Sequence, residues 1–509
     1  MREKKNSVMN ERGCGVLLHL TSLPGPYGIG DLGPAAYEFI DFLAAAGQRY
    51  WQFLPLGPVA QGFGCSPYMS LSAFAGNPLL ISPDILLEDG LLLKKDLDGL
   101  PGFSDYQVQF STVIAYKSAL LAKAFTRLGR SGLQGDFSKF CENESAWLQD
   151  YAMFMALKER EGGRPWYQWA PSLVGRAPSA LAKGWASQAK QIDYYRFEQF
   201  VFFRQWQRLR EYAHSRGLSL IGDLPIYVSL DSADVWANQS CFQLDDMTSL
   251  PTHVAGVPPD YFSKTGQRWG NPLYRWKVGR DKNEGLYEWW RQRFRQMSHL
   301  LDLVRIDHFR GFEAYWQIPA AEETAVHGQW VKGPGRQFFT EMVEAIADLP
   351  IIAEDLGIIT PEVIKLRDGL GFPGMKILQF AFDSDAENLY LPHNYCSTNC
   401  VVFTGTHDNN TTLGWFMEEC REETRGRAKR YVHSDGSEIH WDLIRLALSS
   451  VAATAIIPLQ DILGFGGDCR MNLPGTVPGN WLWRYAARFL TKGLAERLRE
   501  ECEFYGRRV

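Results

Sequence analysis

Short apolar runs that alternate with helical patterns are the feature of this sequence that most constrains its fold. The runs lie at 15–20, 50–56, 218–228, 303–307, 350–354, 375–380, 401–404 and 454–459. Helical periodicity separates several of them, for example at about 35–46, 286–300 and 335–348. Eight strands that alternate with helices predict a closed parallel (β/α)₈ TIM barrel. An open doubly wound sheet is the structural alternative, but the Gly-rich phosphate turn expected after its first strand is not found.

Two intervals between the runs are longer than one crossover needs, and they predict insertions. The interval 57–192 carries helical patterns and leads through a further predicted helix, 193–215, into the third run. The interval 229–285 is rich in proline, glycine and aromatic residues. Because insertions on strand-to-helix loops lie on the catalytic face of a barrel, we expect both to wall a cleft. We therefore predict one catalytic barrel over 1–509, with a mainly helical insertion at 57–192, a cleft-covering insertion at 229–285 and no C-terminal β-domain.

Composition and charge exclude several classes of protein. The chain carries 53 Lys and Arg against 58 Asp and Glu, a net charge of −5, with both signs interspersed. This balance argues against a nucleic-acid surface and against a polybasic membrane patch. No apolar run approaches the length of a membrane span, and the polar N-terminus lacks a signal sequence. The 9 cysteines are dispersed without CxxC spacing, which indicates free thiols in a reducing compartment and predicts a cytoplasmic protein.

Acidic residues recur at the ends of the apolar runs. Asp223, Asp307, Glu354 and Asp408 end or follow four of them, and Arg305 lies two residues before Asp307. Side chains two apart in a strand point the same way, so we expect Arg305 to keep Asp307 ionised. One such carboxylate alone would suit a structural ion pair that caps the strand. Four converging on one barrel axis repel each other and lower stability, so together they predict an active site.

Four of these strand-end segments resemble the conserved regions of the α-amylase clan, in their usual order. They are 222–227, 304–311, 352–357 and 403–409. The segments 66–78 and 257–274 are similar to signatures of glycoside hydrolase family 77, the 4-α-glucanotransferases. The resemblance runs from about residue 15 to residue 483. Like that family, the chain lacks the C-terminal β-domain of ordinary α-amylases, and its third strand carries no His where many amylases have one.

The resemblance implies a role for each catalytic residue. Asp307 would be the nucleophile that forms a covalent β-glucosyl–enzyme intermediate, and Glu354 would be the general acid and base, its pKa raised by its apolar strand. Asp408 would grip sugar hydroxyls and favour the oxocarbenium-like transition state. His407 would hydrogen-bond a hydroxyl of the same sugar.

The resemblance also implies the surroundings of the cleft. Ser66 and Tyr68 would contact the donor; Asp260, Tyr261 and Phe262 would lie on a loop that arches over the cleft; and Trp269 and Asn480 would contact sugar. Asp223 is expected to support the catalytic residues. His308 suits a sugar contact and a packing role equally, and Asp355 is expected to face outward or to cap the next helix.

The expected activity is that of a retaining 4-α-glucanotransferase. It would move α-1,4-glucan segments from a maltooligosaccharide donor to the 4-hydroxyl of glucose or another α-glucan, without metal or other cofactor. An α-amylase-clan hydrolase is the nearest alternative, because it needs the same three carboxylates. A metal-dependent barrel hydrolase is another, since His407 and Asp408 could bind metal, although His19 stands without the usual His-x-His. A carbohydrate-binding protein without activity would have no use for a buried acid triad.

Overall fold

The computed structural model describes residues 11–259, 263–346 and 349–507. Its strands are β1 (Gly13–Leu17), β2 (Tyr50–Gln52), β3 (Ser219–Pro225), β4 (His253–Val257), β5 (Gln267–Pro272), β6 (Lys277–Val278), β7 (Asp281–Lys282), β8 (Leu303–Asp307), β9 (Ala314–Pro319), β10 (Gln329–Lys332), β11 (Ile351–Ala353), β12 (Gly374–Ile377), β13 (Cys400–Phe403) and β14 (Thr454–Pro458).

Helices separate these strands along the chain. They are α1 (Pro34–Ala45), α2 (Pro83–Glu88), α3 (Phe110–Arg127), α4 (Gln134–Asn143), α5 (Ser145–Arg160), α6 (Pro171–Val174), α7 (Pro178–Ser215), α8 (Ala233–Ala237), α9 (Glu284–Leu300), α10 (Gly335–Glu341), α11 (Val343–Ile346), α12 (Pro361–Leu370), α13 (Thr412–Gly414), α14 (Glu422–Val432), α15 (Ile439–Ser449), α16 (Leu459–Leu463) and α17 (Lys492–Phe504). In the part of the chain that the structure describes, none of them is long and apolar enough to cross a membrane.

Eight parallel strands form a barrel, as the alternation of runs and helices predicts. Their order is β11-β8-β3-β2-β1-β14-β13-β12. The backbone N–H of Ala353 in β11 donates to the carbonyl of Pro373, next to β12, over 2.9 Å and brings the two ends of the sheet together. The barrel strands are apolar and buried, because helices cover the outside and side chains fill the inside. All eight therefore end on one face of the molecule.

The chain between β2 and β3 is helical, and its last helix joins it to the barrel. Helix α7 has 38 residues, with a kink at Gln188, and it ends just before β3. Trp206 of α7 packs edge-on against Phe53 and donates its indole N–H to the carbonyl of Leu300 over 3.1 Å. A buried indole that fills the core and satisfies its donor holds α7 firmly against the barrel wall.

A second sheet, which the sequence analysis did not predict, lies beside the barrel. It has the order β10-β9-β4-β5, and each pair in it is antiparallel. Strands β4 and β5 belong to the interval 229–285, and β9 and β10 follow β8. The predicted insertion at 229–285 therefore contains two paired strands, β4 and β5, with Val257 opposite Gln267. Pairing between distant segments satisfies their backbone groups, and such pairing leaves only a weak local signal in sequence.

Candidate active site

The strands of the barrel bring four predicted acidic residues to one end. Asp307 is the last residue of β8, Glu354 follows β11 directly, and Asp223 lies within β3. Asp408 lies in the turn after β13. Charges of Asp223, Glu354 and Asp408 all act on Asp307, so the four carboxylates share one electrostatic environment. The carboxyl end of a barrel is the face on which TIM-barrel enzymes place their active sites.

The guanidinium of Arg305 bridges two of these carboxylates. Its Nη1 lies 2.8 and 2.6 Å from the two oxygens of Asp223 and 3.0 Å from Oδ1 of Asp307. Arg305 and Asp223 are paired across β3 and β8, and their side chains are 4% and 1% exposed. The side chain of Asp307 is 29% exposed, so this carboxylate remains open to the cleft. Arg305 and Asp223 thus form a buried support on which Asp307 rests.

Glu354 is held by two backbone N–H groups. His308 N donates to its Oε2 over 2.7 Å, and Leu356 N donates to its Oε1 over 2.8 Å. His308 has φ of 51°, in the left-handed region that disfavours side chains with a Cβ. Each carboxyl oxygen has a second lone pair, so Glu354 can also carry a proton while both bonds persist.

Desolvation and repulsion between carboxylates set the protonation of Asp307 and Glu354. Desolvation by the barrel walls raises the pKa of Asp307; Arg305 opposes the rise, and the neighbouring carboxylates add to it. Burial likewise raises the pKa of Glu354, against the lowering effects of Arg305 and the two backbone donors. Arg305 contacts Asp307 as predicted, but the net shift of the Asp307 pKa is upward because desolvation and the neighbouring carboxylates outweigh the guanidinium. The charge of Glu354 adds to the rise in the pKa of Asp307, so the protonation of the two groups is linked.

Tyr68, in the loop after β2, links Asp223 to His407. Its hydroxyl lies 2.7 Å from Oδ2 of Asp223 and 2.8 Å from Nε2 of His407. Burial raises the pKa of Tyr68 well above its usual value, so its O–H donates to the carboxylate. Its oxygen then accepts from His407, which assigns the imidazole proton to Nε2. Burial lowers the pKa of His407, and the ring, stacked 5.2 Å from that of Tyr68, is therefore neutral.

Asp408 is oriented by the loop that follows β14. Asn472 Nδ2 donates to Oδ1 of Asp408 over 2.6 Å, and Arg470 donates to its backbone carbonyl, also over 2.6 Å. Nε2 of His407 lies 3.3 Å from the same Oδ1. The side chain of Asp408 is 46% exposed and faces the cleft. The contact of Asn472 with Asp408 was not predicted from the sequence.

Among the other residues predicted to contact sugar, the structure describes Ser66, Trp269 and His308. Ser66 accepts a 3.3 Å hydrogen bond from the backbone N–H of Tyr68 and so shapes the loop that carries it. Trp269 lies in β5, and its ring packs edge-on against that of His308 at 4.8 Å. His308 Nε2 is buried and has no hydrogen-bond partner among the residues described. Asp260, Tyr261 and Phe262 lie outside the described residues.

Asp355 differs from its sequence expectation, and Asn480 has hydrogen-bond partners within its own loop. Asp355 faces neither outward nor the end of a helix; it is 9% exposed, pairs with Arg367 of α12 and accepts from Met375 N over 2.7 Å. Asn480, expected to contact sugar, uses its amide within its own loop, accepting from Leu473 N over 2.9 Å and donating to the carbonyl of Thr476 over 2.8 Å. Both side chains are occupied by partners that only the folded chain brings near.

Within 11–259, 263–346 and 349–507, no group of three or more His, Cys, Asp and Glu side chains is arranged to hold a metal ion. His407 and Asp408 are instead engaged with Tyr68 and Asn472.

A parallel eight-stranded barrel with clustered carboxylates at the strand ends is typical of enzymes that cleave or transfer glycosidic bonds. Comparison with known proteins gives the family. The family model described as 4-alpha-glucanotransferase matches residues 18–491. The chain is 52% identical to the 4-alpha-glucanotransferase of Synechocystis, over 99% of both chains, and 49% identical to that of Thermus thermophilus, over 97% of this chain and 98% of the other.

A solved structure is similar to this chain over nearly its whole length. The amylomaltase from Streptococcus agalactiae in complex with acarbose is 39% identical, with a TM-score of 0.93, over 98% of this chain and all of the other. The chain belongs to the 4-alpha-glucanotransferases, the enzymes of glycoside hydrolase family 77. It is accordingly a hexosyl-transferring enzyme, and α-glucans are the substrates of its family.

Proposed function

We propose that this enzyme disproportionates maltooligosaccharides by double displacement, with retention at the anomeric carbon. The observation that carries the proposal is the pairing of Asp307, open to the cleft and supported by Arg305, with Glu354, anchored through His308 N. One carboxylate is thus placed to attack, and the other to exchange a proton. A maltooligosaccharide is the donor, and glucose or another α-1,4-glucan is the acceptor.

In the first displacement, a carboxylate oxygen of Asp307 forms a bond to the anomeric carbon of the donor. The bond from that carbon to the glycosidic oxygen breaks, and Glu354 gives its proton to the leaving 4-oxygen. The raised and linked pKa values of Asp307 and Glu354 support this division of roles, since the reactive state needs one of them charged and the other neutral.

In the second displacement, the 4-hydroxyl of an acceptor sugar loses its proton to Glu354 and attacks the anomeric carbon. The bond to Asp307 breaks, and both carboxyl groups return to their starting states. Asp408, fixed by Asn472, is suited to hold sugar hydroxyls and to favour the positive charge that develops in each transition state. His407 is expected to add a hydrogen bond to a sugar hydroxyl in exchange for the one that its Nε2 makes with Tyr68.

Transfer requires that an acceptor sugar outcompete water for the intermediate. Positioning in the cleft can provide effective molarities of about 10⁵ M or more, against about 55 M for water. Trp269, packed against His308, offers an aromatic face close to the residue that follows Asp307. The connection between β4 and β5 remains the sequence-based candidate for shielding the intermediate, with Tyr261 and Phe262 as its aromatic residues.

Incubation of the purified enzyme with maltotriose alone tests the proposal. Transfer should yield glucose and a ladder of longer maltooligosaccharides, while total reducing ends stay constant. The Asp307→Asn variant should produce neither. If reducing ends rise as fast as maltotriose disappears, the enzyme is chiefly a hydrolase and this proposal is wrong.

A further inference from the structure

Two buried cysteines from opposite ends of the chain meet at the amino end of the barrel. Cys14 lies in β1 and Cys502 in α17, and their sulfur atoms are 3.0 Å apart across 488 residues of sequence. The two residues are 1% and 0% exposed. Both are free thiols in this structure. A disulfide needs its sulfurs at about 2.05 Å, so a movement of roughly 1 Å separates this contact from a covalent bond.

The surroundings of the two sulfurs differ. Gln48 Nε2 lies 3.3 Å from Cys502 Sγ and directs a donor at it, as the S–H of Cys14 does. Cys14 Sγ lies 3.2 Å from the backbone oxygen of Arg507 and 3.7 Å from that of Gly47, both acceptors. Donors therefore surround one sulfur and acceptors the other.

This asymmetry selects the nucleophile of the pair. The hydrogen bond from Cys14 lowers the pKa of Cys502, with Gln48 and the charge of Arg507 acting in the same direction. The same bond raises the pKa of Cys14, with burial adding to the effect. The thiolate is the reactive form of cysteine, so Cys502 reacts first.

We propose that Cys14 and Cys502 form a reversible disulfide that joins the first barrel strand to the last helix. With a small dialkyl disulfide as oxidant, the Cys502 thiolate attacks one reagent sulfur, the reagent S–S bond breaks, and one reagent thiolate leaves. Cys14 then loses its proton to solvent, and its thiolate attacks Cys502 Sγ, releasing the second reagent thiolate. Two protein thiols are oxidised by two electrons, and one reagent disulfide is reduced to two thiols.

The position of the bond determines its effect. Cys14 lies near the start of β1, whereas the carboxylates lie at the carboxyl ends of the strands. The bond should therefore leave turnover unchanged. It closes almost the whole chain into a loop, and cross-links of long loops restrict the unfolded chain most. The oxidised enzyme should therefore resist unfolding, in particular the detachment of α17 from α1 and β1.

The test uses the full-length wild-type enzyme, reduced and then incubated with 2-hydroxyethyl disulfide. Remaining thiols are alkylated in denaturant, and peptides are mapped without reduction. We expect a peptide pair joined through Cys14 and Cys502, with both of these thiols lost, in addition to a mixed disulfide at the exposed Cys396. The apparent melting temperature should rise by about 5 °C, and dithiothreitol should reverse the rise. Activity on maltotriose at room temperature should stay the same.

Two variants provide the controls. Cys502→Ala should lose both the linked peptide and the rise in melting temperature under oxidant, whereas Cys241→Ala, which removes another buried thiol, should keep both. The reduced, denatured wild type is also refolded in a glutathione redox buffer, in which both thiols are accessible before the core forms. Absence of the Cys14–Cys502 pair in both procedures overturns the proposal, as does a linked pair that leaves the melting temperature unchanged.

Discussion

The backbone N–H of His308 donates a 2.7 Å hydrogen bond to Oε2 of Glu354. His308 directly follows Asp307, so this bond ties the ends of β8 and β11 together between the two carboxylates that we propose to react. The left-handed backbone of His308, with φ of 51°, accompanies this bond. Backbone strain of this kind is found where surrounding structure enforces it, often at active sites.

The three carboxylates should each be indispensable but not equivalent. Asp307→Asn, Glu354→Gln and Asp408→Asn should each lower kcat on maltotriose by at least about 10³-fold without loss of the fold. With a glycosyl fluoride, whose leaving group needs no proton, Glu354→Gln should still form the covalent intermediate, and Asp307→Asn should not. Mass spectrometry of the quenched enzyme measures the intermediate. Equal labelling of the two variants would contradict the assigned roles.

The pH dependence of kcat/KM should be bell-shaped. Uptake of a second proton by the Asp307–Glu354 pair removes the nucleophile at low pH, and loss of its last proton removes the acid at high pH. Because desolvation raises the pKa of both groups, both limbs should lie above the values of exposed carboxyls, which are about 4. With a glycosyl fluoride, Glu354→Gln should lose the basic limb. Its persistence would assign that limb to another group, with His407 the first to be tested.

Replacing Arg305 alone should destabilise the enzyme more than replacing both Arg305 and Asp223. Arg305→Met leaves Asp223, 1% exposed, without its cation and should destabilise the enzyme by about 3–5 kcal/mol. Adding Asp223→Leu removes the unpaired buried charge and should restore part of the lost stability. Activity should stay low, because Asp307 no longer contacts Arg305. Thermal unfolding of the single and double variants measures the difference.

An exposed ion pair provides the matched control for that experiment. Lys492 and Glu496 lie 3.6 Å apart, with the lysine side chain 91% exposed. Lys492→Met should change stability by less than about 1 kcal/mol, because water and salt screen the pair. If the double variant is less stable than Arg305→Met alone, Asp223 stabilises the fold through more than its ion pair with Arg305.

Glu198 of α7 should make stability depend on pH. Burial raises its pKa to about 8, and the charge of Glu159 adds to the rise. The folded state therefore holds a proton that the unfolded chain releases near pH 4.3, so stability falls as pH rises between these values, by up to about 1.4 kcal/mol per unit. Glu198→Gln should be more stable than wild type at pH 8 and should flatten the profile. Glu323→Gln, at an exposed position, should leave the slope of the melting temperature against pH unchanged.

Much of the barrel could be predicted from local sequence. The run 303–307 coincides with β8, the run 401–404 is shifted by one residue from β13, and the run 454–459 extends one residue beyond β14. Buried parallel strands are short apolar segments, and their ends are marked by the polar residues that follow them, so neighbouring residues carry the signal. The second strand is shorter than predicted: β2 ends at Gln52, although Phe53 N still donates to the carbonyl of Ile221 in β3 over 3.0 Å.

The partners of each site residue were decided only by the tertiary structure. Sequence placed Asp223, Arg305 and Asp307 at strand ends, but the sharing of one guanidinium between two carboxylates depends on the register of β3 against β8. Likewise, the burial of Asp355 against Arg367 and the contact of Asn472 with Asp408 join segments that are distant in sequence. Strand formation and strand ends follow from residues adjacent in the chain, whereas desolvation, pairing and pKa depend on which side chains the closed barrel brings within a few ångströms.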